Sequence, residues 1–306
     1  MSAKILDGRV VRDEIKENLK SQISLSTRNS LKASNLKSRP KLVIIQVGDV
    51  AESNTYISGK IKFGESIGAV VEHKKFPATI SQKSLISQIS ILNSDSSVHG
   101  IIVQMPIPEH LNKEAIIDTI DPKKDVDGLT TTNQQLLENN DPQVFIPATA
   151  KAVITILNYY KIPIEGKKAA VVGRSKLVGA PVAILLRNLG AQVEVGHSQT
   201  PDLTAVTKPA DIVVVAVGKP NLITKNHVSP DQTVIDVGIN VIDSNARLWK
   251  TEKPGIGQNQ RHLTGDVNFA EVEPIVAAIT PVPGGIGPLT IASLFENLLE
   301  AYKKQS

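Results

Sequence analysis

Cysteine is absent from the 306 residues, which excludes disulfides, thiolate metal sites, iron–sulfur clusters and a cysteine nucleophile. Aromatic residues are scarce at 3%, and no run approaches the ~18 consecutive apolar residues of a membrane span. The opening Met1-Ser2-Ala3-Lys4-Ile5 lacks the apolar core of a signal peptide, so a cytoplasmic location and no membrane partner are expected. A dominant charge is lacking too: 34 Lys and Arg stand against 30 Asp and Glu, a formal net charge of +4. The basic residues are scattered rather than striped, which argues against nucleic acid and leaves an anionic small molecule as the easier partner. What is present, 41% hydrophobic and 21% charged residues, is ordinary globular composition.

Hydrophobic periodicity opens with a helix in which Val11, Ile15, Leu19 and Ile23 recur at helical spacing. The polar stretch Ser24–Pro40 reads as a loose connection or a frayed helix end. Apolar runs follow at Leu42–Val47, Ile101–Val103, Ala169–Val172, Val193–Val195, Ile212–Val217 and Val234–Val237, with helical patterns between most of them. Short Val/Ile-rich runs separated by amphipathic helices predict a parallel sheet covered on both faces, an α/β architecture. A boundary is expected near Ala148, with the second half built as one nucleotide-binding unit. Residues 245–261, which carry the only Trp (Trp249), read as a hydrophilic surface excursion.

Five segments could carry chemistry. In the first, Val171-Val172-Gly173-Arg174-Ser175-Lys176-Leu177-Val178-Gly179-Ala180-Pro181, a buried strand ends in a glycine-bearing turn that opens a helix. Unpaired amides and the helix dipole make such a turn an anion site, although glycine can also serve close packing alone. The second strand of this half ends in Gly196-His197-Ser198, with Glu194 in mid-strand rather than at the tip where a ribose-binding acid would stand. Arg174 and Ser198 therefore favour NADP over NAD; a solvated loop arginine is the plainer alternative. In the second, Tyr56 and Lys60 lie four apart on an expected helix from about Ser53 to Ile67 and share a face. A desolvated lysine beside a phenol can act as an acid/base unit, and a solvated helix face is the alternative. The third, Gln104-Met105-Pro106-Ile107-Pro108, puts a glutamine amide at the C-terminal end of a parallel strand, where open α/β sheets bind ligands; its prolines also simply stop the strand. The fourth, Asp121-Pro122-Lys123-Lys124-Asp125-Val126-Asp127-Gly128, is a charged turn. The fifth, Pro281-Val282-Pro283-Gly284-Gly285-Ile286-Gly287-Pro288, stands before an expected C-terminal helix Leu289–Tyr302 and suggests a main-chain wall against a flat ligand.

These segments, in this order and spacing, closely resemble the bifunctional methylenetetrahydrofolate dehydrogenase/cyclohydrolase family, from Ile5-Leu6-Asp7-Gly8 to the last helix. The resemblance implies an N-terminal α/β catalytic domain (residues 1–147 with 284–306) and a Rossmann-like NADP-binding domain (148–283), with a cleft between them. It implies Lys60 as the catalytic lysine, Tyr56 stacking near the pterin, Gln104 tuning the lysine and Asp127 holding the pterin ring. Val103 and Met105 would flank Gln104 in the folate pocket, and Pro283, Gly284 and Gly285 would line it. Gly173, Arg174 and Ser175 would take the cofactor phosphates, Ser198 would assist at the 2′-phosphate, and the backbone of Ile239 would face the nicotinamide. No metal is implied.

The implied reactions are NADP-dependent oxidation of 5,10-methylenetetrahydrofolate and hydrolysis of the methenyl product to 10-formyltetrahydrofolate. A homodimer formed through the nucleotide-binding half, and a last helix returning to the N-terminal domain, are implied as well. The chain departs from the family's Pro-Cys-Thr-Pro-x-Gly crossing, reading Pro147-Ala148-Thr149-Ala150-Lys151-Ala152. Two other readings are a different NADP-linked α/β dehydrogenase, which leaves the wall at Pro283–Pro288 unexplained, and a non-catalytic binder, which has no need of Lys60 and Gln104 together.

Overall fold

A computed structural model of the chain describes residues 2–32, 39–243 and 261–305. The chain divides into two compact units, Val10–Ala152 with Leu289–Ser306, and Met1–Arg9 with Val153–Pro288.

The first unit is built on a three-stranded parallel sheet, with β2 (Lys41–Val47) between β3 (Val70–Phe76) and β4 (Gly100–Val103). Every residue of β2 after Lys41 is buried, as a central strand covered on both faces requires. Alternation sends Val43, Ile45 and Val47 to one face, where they pack with Leu85, Ile89 and Leu92 of α3 (Gln82–Ser94). Leu42 and Ile44 face the other way, onto α1 (Gly8–Lys32), α2 (Ala51–Ile67) and α10 (Ile286–Lys304). The helix expected at 289–302 thus supplies Ala292, Phe295, Leu298, Leu299 and Tyr302 to the core of the first unit. The short helices α4 (Lys113–Ile117) and α5 (Thr131–Glu138), then α6 (Ala148–Tyr159), complete the run. Ala148, Ala150 and Ala152, the family departures, lie at the start of α6 and are buried.

The second unit is a six-stranded parallel sheet in the order β1-β11-β8-β7-β5-β6. Its strands are β1 (Lys4–Ile5), β5 (Lys168–Val172), β6 (Gln192–Gly196), β7 (Ile212–Val215), β8 (Thr233–Asp236) and β11 (Ala278–Ile279). The helices α7 (Gly179–Asn188), α8 (Leu203–Thr207) and α9 (Phe269–Val272) connect strands of this sheet. The chain order reverses at β5, whose neighbours β6 and β7 follow it on opposite sides; that switch point is where a doubly wound sheet takes its ligand.

Several expectations change. Residues 1–9, assigned from the sequence to the N-terminal domain, join the second unit, because Lys4 and Leu6 donate amides to Ala277 and Ile279 at 2.8 Å and the Asp7 amide meets the Tyr160 hydroxyl at 3.0 Å. The stretch Ser24–Pro40, expected as a loose connection or a frayed helix end, is helical to Lys32, and its residues 33–38 lie outside the described residues. The edge strand β3 escaped the sequence reading, since Glu72, His73, Lys74 and Lys75 interrupt its apolar residues. Those charges are paired, Glu72 with Lys41 and Lys74 at 2.8 Å and Lys75 with Asp49 at 2.8 Å, and they blunt an otherwise open sheet edge. The antiparallel pair β9 (Asn240–Asp243) and β10 (Arg261–Thr264) flanks the hydrophilic excursion, which, with Trp249, lies outside the described residues up to Arg261.

Phe295 is fully buried and its ring centroid lies 5.3 Å from that of Phe63. Phe295→Ala should cost about 3–5 kcal/mol in a urea titration of stability. A loss under about 1 kcal/mol would show that α10 is not part of that core.

Candidate active site

Helix α2 carries Ser53, Ile57 and Lys60 on one face at i, i+4 and i+7. Ser53 and Ile57 are buried, so this face is turned inward and Lys60 follows them, half-buried. Its amine donates to Gln104 Oε1 at 2.9 Å. Gln104 stands one residue beyond β4, placed there by its backbone N–H, which donates to the Ile45 carbonyl at 2.8 Å. The Gln104 Nε2 donates to the Met105 carbonyl at 2.9 Å, and the Ser53 hydroxyl donates to the same carbonyl at 3.2 Å. A carbonyl accepts only from a donor, so the NH2 side of Gln104 must face Met105 and its oxygen must face the lysine. Tyr56 is more exposed, on the same helix, and partial burial raises its phenol pKa.

Lys124, Asp125 and Asp127 look alike as motif charges, and the structure separates them. Lys124 is buried and donates to the carbonyls of Leu92, Asn93 and Asp95 at 3.1, 2.8 and 2.7 Å, closing the C-terminal end of α3. Asp125 accepts from the amides of Leu129 and Thr130 and from Asn133 Nδ2 at 3.1, 2.8 and 2.8 Å, holding the entry to α5. Val126 sits in the core, and its carbonyl accepts from Asn297 of α10 at 2.9 Å. Of the two motif acids, Asp127 is the one placed to act on Lys60: burial pushes its carboxyl above the usual range, while the Lys60 charge pulls it back. Burial lowers the Lys60 ammonium in turn, opposed by Asp127.

The first unit thus brings Lys60 and Gln104 into contact, with Met105 bonded to Gln104, Asp127 acting on the lysine charge and Tyr56 on the same helix, whereas Val103 packs in the apolar cluster with α3, on the other sheet face from α2. Ser53 was missed from the sequence. Its signal was available, since a serine four residues before Ile57 and seven before Lys60 falls on the buried face of the helix.

In the second unit, the turn after β5 approaches its neighbours so closely that Gly173, at φ +122°, has no room for a Cβ beside the Ala216 carbonyl oxygen. A Cβ on Gly179 would strike the carbonyl of Gly173. The Ser175 hydroxyl accepts the amides of Val178 and Gly179 at 3.3 and 3.4 Å where α7 begins. Arg174 is exposed and donates to Gln199 Oε1 at 3.2 Å, which sets it beside the turn Ser198–Gln199 at the end of β6. Glu194 is exposed in mid-strand, away from that tip. A cradle of backbone, a helix N-terminus and an exposed cation fit a dinucleotide with a 2′-phosphate. Pro283 is exposed and Gly284 buried, with the Gly284 carbonyl accepting the Gly8 amide at 2.9 Å. Ile239 is exposed just beyond β8. Among the described residues, no group of His, Cys, Asp and Glu is arranged to hold a metal, and no helix is long and apolar enough to cross a membrane.

Comparison with known proteins gives two matched domains. Residues 6–127 match the tetrahydrofolate dehydrogenase/cyclohydrolase catalytic domain and residues 147–306 the NAD(P)-binding domain of the same family. The bifunctional protein FolD of Acholeplasma laidlawii is 40% identical over 301 residues, 98% of this chain and 99% of that protein. The crystal structure of the FolD methylenetetrahydrofolate dehydrogenase/cyclohydrolase from Campylobacter jejuni superposes with a TM-score of 0.89 at 38% identity, covering 100% of both chains. The Trypanosoma brucei enzyme, solved with NADP cofactor and inhibitor, gives 0.90 at 34% identity over 99% of this chain and 98% of that one.

The electrostatics can be checked by NMR titration of the Lys60 side chain. Its pKa should lie below that of an ordinary lysine, and Asp127→Asn should lower it further, because Asp127 is the group that opposes desolvation. A rise in the variant would refute this account of the pair.

Proposed function

Because the chain belongs to the tetrahydrofolate dehydrogenase/cyclohydrolase family, we infer that it works in one-carbon metabolism as an NADP-dependent methylenetetrahydrofolate dehydrogenase and a methenyltetrahydrofolate cyclohydrolase. It oxidises 5,10-methylenetetrahydrofolate to the 5,10-methenyl form and hydrolyses that product to 10-formyltetrahydrofolate. NADP, when bound, supplies the nicotinamide that accepts the hydride.

The observation that carries the assignment of roles is the Lys60 amine 2.9 Å from a neutral amide oxygen. A carboxylate there would hold the amine as ammonium, whereas Gln104 bonds to it in either protonation state, and burial favours the neutral form. Water adding to the methenyl carbon releases a proton, for which neutral Lys60 is the acceptor; as the carbon–N5 bond opens that proton passes to N5, and the hydroxyl left on the carbon gives its own proton to solvent as it becomes the formyl carbonyl. Asp127 accepts from the pterin ring, Tyr56 stacks on it, and the main chain near Val103 and Met105 borders it. Pro283, Gly284 and Gly285 supply further folate-facing main chain, Gly173, Arg174, Ser175 and Ser198 hold the cofactor's adenosine and phosphates, and the Ile239 backbone meets its nicotinamide. By function we assign residues 1–147 with 284–306 to the folate domain and 148–283 to the cofactor domain, a division by ligand that differs from the packing units at residues 1–9, 148–152 and 284–288. We also take the protein to be a cytoplasmic homodimer that binds no nucleic acid and no membrane, supported by its family and by its scattered, nearly balanced charge.

Lys60→Met keeps most of the side chain's length without the amine. Cyclohydrolase activity should fall about 100- to 10,000-fold, some dehydrogenase activity should persist, and methenyltetrahydrofolate should accumulate in the absorbance trace. Intact hydration in this variant would move the proton acceptor elsewhere.

Arg174→Ala should weaken NADP roughly 10- to 100-fold in a calorimetric titration while leaving NAD nearly unchanged, since only NADP loses a charge-assisted contact. Equal losses for both cofactors would remove Arg174 from the 2′-phosphate.

A further inference from the structure

Two buried carboxyls in the second unit have no part in the roles assigned so far. Asp236 is the last residue of β8, and Asp266 lies two residues beyond β10. Asp236 Oδ1 accepts the amides of Gly238 and Asp266 at 2.9 and 3.1 Å, and its Oδ2 accepts that of Val267 at 2.9 Å. Asp266 Oδ2 accepts the amides of Val217 and Gly218 at 2.7 and 2.8 Å, and its Oδ1 accepts from Asn240 Nδ2 at 2.9 Å. Thr280 Oγ1 accepts the amide of Asp236 at 2.7 Å. Two side chains therefore tie together the loop after β7, the loop after β8 and the strand exit at 264–267.

The arrangement is reciprocal. A Cβ on Gly238 would overlap the Asp266 carboxyl, and a Cβ on Gly265 would overlap the Asp236 carboxyl. Asp236-Val237-Gly238 and Gly265-Asp266-Val267 thus each leave out a side chain where the other places an acid. Burial, joined by the nearby Asp266 carboxyl, pushes Asp236 up to about 7 in spite of its amide donors. Holding such a group costs stability, and an apolar turn could close these loops without it.

The sheet order says which part of a dinucleotide these loops meet. Gly173 and Arg174 at the end of β5, with Ser198 at the end of β6, place the adenosine 2′-phosphate on the β5–β6 side of the switch point. The second nucleoside then extends over β7 and β8, where the tied loops lie. We propose that Asp236 and Asp266 are positioning residues for the nicotinamide half of NADP, fixing the loops Val217–Gly218 and Gly238–Asn240 that border it. This rests on the cofactor reading above.

The test compares NADP with adenosine 2′,5′-bisphosphate, which has the 2′-phosphate side of the cofactor and no nicotinamide, by calorimetry on the full chain. Asp266→Asn should weaken NADP about 10- to 100-fold, because an amide cannot accept on both sides, and should change the affinity for the bisphosphate less than about twofold. Asn240→Ala removes one donor from the same pair at less risk to folding, and should show the same selectivity at several-fold. A purely structural role would weaken both ligands alike, and that result, or unchanged NADP affinity in both variants, overturns the proposal. A wild-type protein that binds NADP no better than the bisphosphate overturns the proposal alone, whereas one that binds neither ligand overturns the cofactor reading, and the proposal with it.

Discussion

The first unit is arranged around one unusual contact, a lysine amine facing a neutral amide oxygen within largely desolvated surroundings. Bringing an ammonium out of water is unfavourable unless a partner compensates, and a glutamine compensates without demanding the charge. Ile57 and Ser53 anchor the helix face, β4 delivers Gln104 to its end, and the Met105 carbonyl orients the amide. Asp127 is the counterweight. Its charge opposes the lowering of the lysine pKa by burial, and the lysine charge opposes the raising of the acid's, so each shift is smaller than burial alone would make it.

How much of this was legible in the sequence varied with the kind of signal. Strands β2, β4, β5, β7 and β8 stood out because they are buried on both faces and read as unbroken Val/Ile/Leu runs. β3 did not, because an edge strand carries its charges where an interior strand carries isoleucine. β1 and β11 are two residues each, too short for any periodicity, and exist only through pairing between opposite ends of the sequence. Tyr56 and Lys60 could be placed on one helix face by counting, but the partner of Lys60 lies 44 residues away and composition alone does not point to it. Residue type could not tell Asp125 from Asp127 either. The difference lies in three donors that satisfy Asp125, two amides and the Asn133 side chain.

The second unit shows the complementary case, where glycine is informative for what it leaves room for. Gly173 and Gly179 are needed because backbone passes where their side chains would be. Gly238 and Gly265 are needed because carboxyls do. Written as a sequence, all four are turn residues of equal standing; in space, one pair shapes a tight strand-to-helix turn and the other an internal brace.

The packing of α10 bears on the order in which this protein can form during synthesis. Residues 10–152 leave the ribosome long before Ala292, Phe295 and Leu298, yet Leu42, Ile44 and Ile102 are covered by those side chains. Until α10 emerges, the face of the β2 sheet that carries the lysine helix is incompletely covered, and β1 waits for β11. A nascent chain halted before residue 286 therefore exposes an apolar sheet face that invites chaperone binding or aggregation, and the helix that carries Lys60 completes its packing only once α10 has emerged.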